Sequence, residues 1–228
     1  PGLAFRACEP RDGARVDYAA QLAEQGADAV ALHSLFVTMG ANATFNAFCL
    51  TPTAGLVRRQ IFARLNGEHS TISLAGLSLL RGKQHADTTL VVDHAVPNCV
   101  SRELFRHILD HESTGVFQGK VVVRQHAQKT DGAMKSQALV LGDDASMNNK
   151  PELEIFADDV VCGHGATVGQ LDRNQIFYLQ ARGLSRGEAE SLLLEAFANE
   201  ALDMVADEAV RARYAVQTAD WLAHRSGR

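Results

Sequence analysis

The fold turns on the stretch Thr71-Ile72-Ser73-Leu74-Ala75-Gly76-Leu77-Ser78-Leu79-Leu80, then Arg81-Gly82, then Thr88-Thr89-Leu90-Val91-Val92-Asp93-His94. Two apolar runs of strand length flank a turn dipeptide, and no amphipathic helix separates them. The same grammar extends in both directions. Upstream, Ala29 to Val37 and Leu56 to Leu65 read as strands, with turns at Gly40-Ala41-Asn42 and Asn66-Gly67. Downstream come Gly115 to Arg124, Ser136 to Leu141 and Glu152 to Phe156, with turns at Gly142-Asp143-Asp144 and Asn148-Asn149. Asp17 to Glu24, stopped by Gly26, reads as a turn or two of helix. A doubly wound sheet needs helical crossovers, and these are missing. A sandwich, a barrel or a solenoid of stacked short strands remains, and with no strict repeat visible, periodicity does not choose among them.

Past Asp172 the pattern changes. Asp172-Arg173-Asn174-Gln175 and Ser185-Arg186-Gly187-Glu188 both have capping-box spacing, which marks two helix starts. The first helix should stop at Gly183. In the second, Ala189, Leu192, Leu193, Ala196, Phe197, Ala201 and Met204 fall on one face at spacings of three and four. A third, more charged helix is expected from Asp207 to Leu222. The residues thus predict a β body over 1–171 and a helical unit over 172–228.

Composition narrows the partners. The chain is 46% hydrophobic, enough for a sizeable core, and its formal net charge is −5, with no basic run to suit nucleic acid. No apolar stretch reaches the roughly 20 residues of a membrane helix. Cys8, Cys49, Cys99 and Cys162 stand far apart without a C-x-x-C pair, which suits a reduced, cytoplasmic protein.

Chemistry concentrates in Val160-Val161-Cys162-Gly163-His164-Gly165-Ala166-Thr167-Val168. On an extended strand, Cys162 and His164 project the same way as Val160, Ala166 and Val168. A thiolate and an imidazole so placed suit a soft or borderline metal, but two donors do not complete a shell. The other reading is a core face, since cysteine and valine are commonly buried. Other candidates are weaker. Asp93-His94 to Cys99 reads as a turn with a buried thiol, and His107 and His111 as solvated residues. Asp143-Asp144 and Asp158-Asp159 read as turn-forming or solvated acids. No nucleophile elbow, phosphate loop or dinucleotide fingerprint is present.

The run Lys150-Pro151-Glu152-Leu153-Glu154-Ile155-Phe156-Ala157-Asp158-Asp159-Val160, continuing into His164-Gly165-Ala166-Thr167-Val168-Gly169-Gln170-Leu171-Asp172, resembles the SufB/SufD scaffold family of iron–sulfur cluster assembly. Phe117-Gln118-Gly119-Lys120, Gln128-Lys129-Thr130-Asp131 and Tyr178 to Leu184 fit the same family, and the His-Gly-Ala-Thr wording is closer to its SufD branch. The resemblance implies a mainly β protein: a right-handed parallel β-helix followed by a C-terminal α-helical domain. Family members usually carry an N-terminal helical domain as well, so a C-terminal portion is expected here. It implies a non-catalytic subunit that joins a SufB-like paralogue and a SufC-like ABC ATPase, with a transient iron–sulfur cluster assembled at the shared interface. His164, with Cys162 beside it, is the implied ligand. Asn174, Ile176, Phe177, Tyr178, Leu179, Arg182 and Leu184 are the implied ATPase contact. In isolation the same open end is expected to form a homodimer. The rival readings are a β-helix enzyme acting on polysaccharide and a structural zinc protein.

Overall fold

The computed structural model describes residues 2–23, 29–53 and 55–225. Twelve strands precede three helices. The strands are β1 (Gly2–Cys8), β2 (Arg15–Ala23), β3 (Val30–Met39), β4 (Thr44–Thr53), β5 (Leu56–Leu65) and β6 (Thr71–Leu80), then β7 (His85–His94), β8 (Val100–Leu109), β9 (Thr114–Val123), β10 (Asp131–Val140), β11 (Ser146–Ile155) and β12 (Val161–Gly169). The helices are α1 (Arg173–Ala181), α2 (Arg186–Leu202) and α3 (Glu208–Arg225).

Odd-numbered strands form one six-stranded sheet and even-numbered strands another. Every pairing is parallel and joins a strand to the one two places on, so the chain alternates between sheets and climbs by one coil per pair. This is a parallel β-helix of about six turns, and it resolves the choice among sandwich, barrel and solenoid. Short connections suffice because each strand crosses to the opposite sheet before returning parallel to its neighbour.

Coil length explains why no repeat is visible in the sequence. Stacked side chains lie 26 residues apart at Ser34 and Gln60, 29 at Arg58 and Asp87, and 32 at Thr114 and Ser146. The recurring feature is a corner. At five of the six places where odd strands hand over to even ones, a residue takes positive φ: Gly13, Asn42, His69, Asn98 and Lys129; the handover from β11 to β12 has none. Their amides run coil to coil: Gly13 donates to the Ala41 carbonyl, Asn42 to Glu68 and Asn98 to Gln128. Residue type varies while backbone shape does not.

Inside the body, Leu35, Phe45, Leu65, Ile72, Leu74, Leu90, Phe105 and Phe117 form the main core. The outer face of the even sheet is apolar too. Phe48, Leu50, Leu77, Leu79 and Ile108 pack under Leu194, Ala198, Leu202, Tyr214 and Trp221 of the helices. Arg106 pins this layer. Its guanidinium lies 4.3 Å from the Phe197 ring centroid, donates to the Phe197 carbonyl and pairs with Glu200.

Several expectations need correction. Asp17 to Ala23 is part of strand β2 rather than helix, and its predicted stop at Gly26 lies outside the described residues. Alanine-rich composition favours helix locally, but pairing with β4 overrides it. The buried face of α2 is Ala189, Leu194, Ala198, Ala201 and Leu202, rotated from the one expected, because the helix is apolar on more than one side. Ser185 and Glu188 do form the reciprocal capping box. Asp172 caps α1 through the Asn174 amide. His107 is buried in β8 rather than solvated, and His111 sits at a corner with φ 58°.

Candidate functional site

Inward-facing side chains of the even sheet form columns along the solenoid. Cys162 lies beside Gly132, and Gly132 beside Ser101; one step along, His164 lies beside Met134, and Met134 beside Glu103. On β8 and β10 these positions are buried. On β12 the same parity faces the end of the body, where no further strand pairs among the described residues. Cys162 is half-buried and His164 exposed. The expected parity holds, but a closed core does not follow from it.

Gly132 leaves a gap in the column. A Cβ there would stand 3.5 Å from Cys162 Sγ and 3.4 Å from Ser101 Oγ. The thiol's pKa is raised chiefly by burial, lowered by the Gly132 backbone and raised by the nearby Asp131 and Glu103 carboxyls. Glu103 was not singled out from the sequence. It is buried, and burial pushes its pKa up to about 8 against the lowering effect of a Ser101 hydrogen bond and the Arg102 charge. Its inward parity with Ser101 and Phe105 was the available signal.

The strand carrying the pair has a free edge. The Val161 amide donates to the Thr130 carbonyl at 2.9 Å, toward β10. Amides alternate along a parallel strand, so those of Cys162, His164, Ala166 and Val168 point away from β10. On the other face, nothing lies within 4 Å of where a Cβ would sit on Gly163, Gly165 or Gly169. That face accepts close backbone approach. Among the described residues, no three His, Cys, Asp or Glu side chains gather in a metal-holding group.

The structure divides the residues expected in the helical contact. Helix α1 buries none of its residues. Asn174, Tyr178 and Leu179 line an apolar groove of about 470 Å³ with Gln175, Leu192, Leu193 and Ala196. Arg182 donates to the Tyr178 hydroxyl at 3.0 Å and sits over its ring, fixing the rim. Phe177, 72% exposed, points into solvent. Ile176 turns instead toward Val140, Leu141 and Leu171 of the β body. Leu184, partly buried, follows the helix stop at Gly183, whose φ is 98°.

The remaining candidates fall elsewhere. His94 and Cys99 are both buried, the thiol touching Ser70 Oγ at 3.3 Å. The acidic pairs are surface features: Asp143, Asp144, Asp158 and Asp159 are exposed, and Asp159 pairs with Lys129.

Taken together, these features define a parallel β-helix protein whose last strand carries Cys162 and His164 along an edge that no other described strand pairs. Residues 8–197 match the family described as SUF system FeS cluster assembly, SufBD core domain, and the chain belongs to that family. It is of the SufD type. Over 179 residues it is 38% identical to the iron–sulfur cluster assembly protein SufD of Escherichia coli (strain K12), covering 78% of this chain and 42% of that protein. It is 36% identical over 171 residues to the SufBD family protein slr0076 of Synechocystis, covering 74% and 37%. The chloroplastic protein ABCI7 of Arabidopsis thaliana is 31% identical over 179 residues, covering 77% and 37%. The chain therefore spans less than half the length of these relatives. None of the described helices is long and apolar enough to cross a membrane.

Proposed function

We propose that this protein is a non-catalytic scaffold subunit in iron–sulfur cluster assembly. Its terminal edge, β12 and the adjoining β11, pairs with a SufB-like paralogue and extends the sheet across the junction. Iron and sulfide are the cargo. His164 offers an imidazole and Cys162 a thiolate, and the partner supplies the remaining donors. The observation that carries this reading is the position of both residues on an edge strand with outward-pointing amides and a glycine-lined face. An unpaired edge of this kind favours aggregation unless a partner covers it. The groove between α1 and α2 is the docking place for a SufC-like ATPase, with Tyr178 and Leu179 as apolar anchors. ATP-driven movement of the helices would then act on the sheet through the Arg106 staple.

Reconstitution of the complex with iron and sulfide tests the ligand role. His164→Ala is expected to lower cluster yield at least tenfold while leaving the thermal midpoint within about 1 °C, since the side chain is exposed. Unchanged yield would remove His164 from the site.

A further inference from the structure

We infer that the partner seated on α1 presents an apolar side chain flanked by carboxylates: the apolar group enters the α1–α2 groove, and Arg173 and Arg182 receive the acids. This rests on the docking reading proposed above and adds the chemistry by which the partner is chosen. Residues 173–187 hold three arginines and no acid, in a chain whose formal net charge is −5. A local excess of this sign selects a partner surface of the opposite sign.

Helix α1 buries none of its residues and is open on both flanks. One flank borders the groove, whose walls include Tyr178, Leu179, Leu192, Leu193 and Ala196. The other borders a smaller cleft of about 190 Å³ toward the β body, lined by Arg173 and Arg186 with Gln170, Leu141 and Leu171. Arg182 stands at the groove rim, where its contact with the Tyr178 hydroxyl leaves most of its N–H groups free.

Helix stability does not account for Arg173. It opens α1, where the helix dipole favours acids, and the first turn contains none. Arg186 opens α2 in the same way but is offset by Glu190 at 2.9 Å. Arg173 has no such ion pair among the described residues. The nearest acids in sequence are tied to backbone amides instead. Asp172 accepts from the Asn174 amide at 2.8 Å, and Glu188 from the Ser185 amide at 2.7 Å. On α2, Glu195 is exposed, so the two helices differ in charge and a partner's carboxylates are steered to the α1 side.

Binding of the SufC-like ATPase from the same organism is measured by calorimetry at low and high sodium chloride. For the unaltered protein, a loss of about tenfold is expected as salt screens the pairing. In Arg173→Gln/Arg182→Gln, low-salt affinity should fall about fivefold or more and the salt dependence flatten to within about twofold, while Arg173→Lys/Arg182→Lys keeps both. Leu179→Ala, which alters only the apolar lining, should weaken binding by a similar factor at either salt. Both arginines are exposed, so thermal midpoints within about 1 °C of the unaltered protein are expected for their variants. Salt-independent binding of the unaltered protein, or equal salt dependence in the glutamine variant, overturns the inference, and a loss in Leu179→Ala then leaves the docking place standing. Undiminished binding by Leu179→Ala, or no binding by the unaltered protein, removes the docking place and the inference with it.

Discussion

The sixth and twelfth strands carry the same inward alternation and meet opposite fates. In β6, Ile72 and Leu74 are sealed, because coils lie above and below. In β12, the inward residues His164, Ala166 and Val168 remain exposed, because only β10 lies behind them. Burial in a solenoid is therefore decided by neighbours some 30 residues away, and a strand's own pattern fixes only the direction of its side chains. An interior-type pattern left open marks an end that no other described strand caps.

This contrast breaks down if the two places respond alike to truncation. Phe105→Ala, in the sealed interior, is expected to destabilise by about 3–5 kcal/mol, and Val168→Ala by under about 0.5 kcal/mol. Urea unfolding of both variants measures the difference, and comparable losses would mean that the terminal coil is as closed as the middle.

Acidity sharpens the same comparison from the interior side. His33, His94 and His107 are lowered to about 4, about 4 and about 3, with burial the main cause. The unfolded chain takes up protons on them below about pH 6.5 while the folded protein does not, so stability falls as pH drops through that window. Glu103 works in the opposite sense. The folded protein keeps its proton up to about pH 8, while the unfolded carboxyl loses it near its ordinary 4.5, so stability declines as pH rises between the two. A maximum near pH 6 to 7 is expected. Glu103→Gln should erase the alkaline decline, adding on the order of 2 kcal/mol at pH 8, and leave the acid limb intact. Denaturant midpoints across pH 4 to 9 report both limbs, and an unchanged alkaline limb in the variant would remove Glu103 as its source.

A small effect on stability is also expected from Ala166→Pro, whose amide points away from β10 and donates to nothing in it. Folding should be kept within about 1 kcal/mol, while binding to a SufB-like partner weakens at least tenfold by pull-down or calorimetry. Retained binding would place the junction elsewhere.

Legibility followed the same divide. Leu56 to Leu65 and Thr71 to Leu80 were readable to the residue as strands, and the change of regime near Asp172 stood out. Strand β4 escaped because Phe48 and Leu50 are buried under the helices on the face that alternation reserves for polar residues. Strand β8 escaped because Arg102, Glu103 and Arg106 look like a solvated run. In fact Arg102 pairs with Asp131, Arg106 reaches α2, and Glu103 turns inward. At the candidate site, the common direction of Cys162 and His164 was legible from spacing. Their exposure was not, because it depends on where stacking stops.

The left-handed corner shared by Gly13, Asn42, His69, Asn98 and Lys129 carries a consequence for how such bodies change over time. The first five coils share this backbone shape, so a whole coil can be gained or lost mid-stack without altering what either end displays. The length of the rod and the residues at its tip are thereby uncoupled: a coil added in the middle leaves the β12 edge as it is.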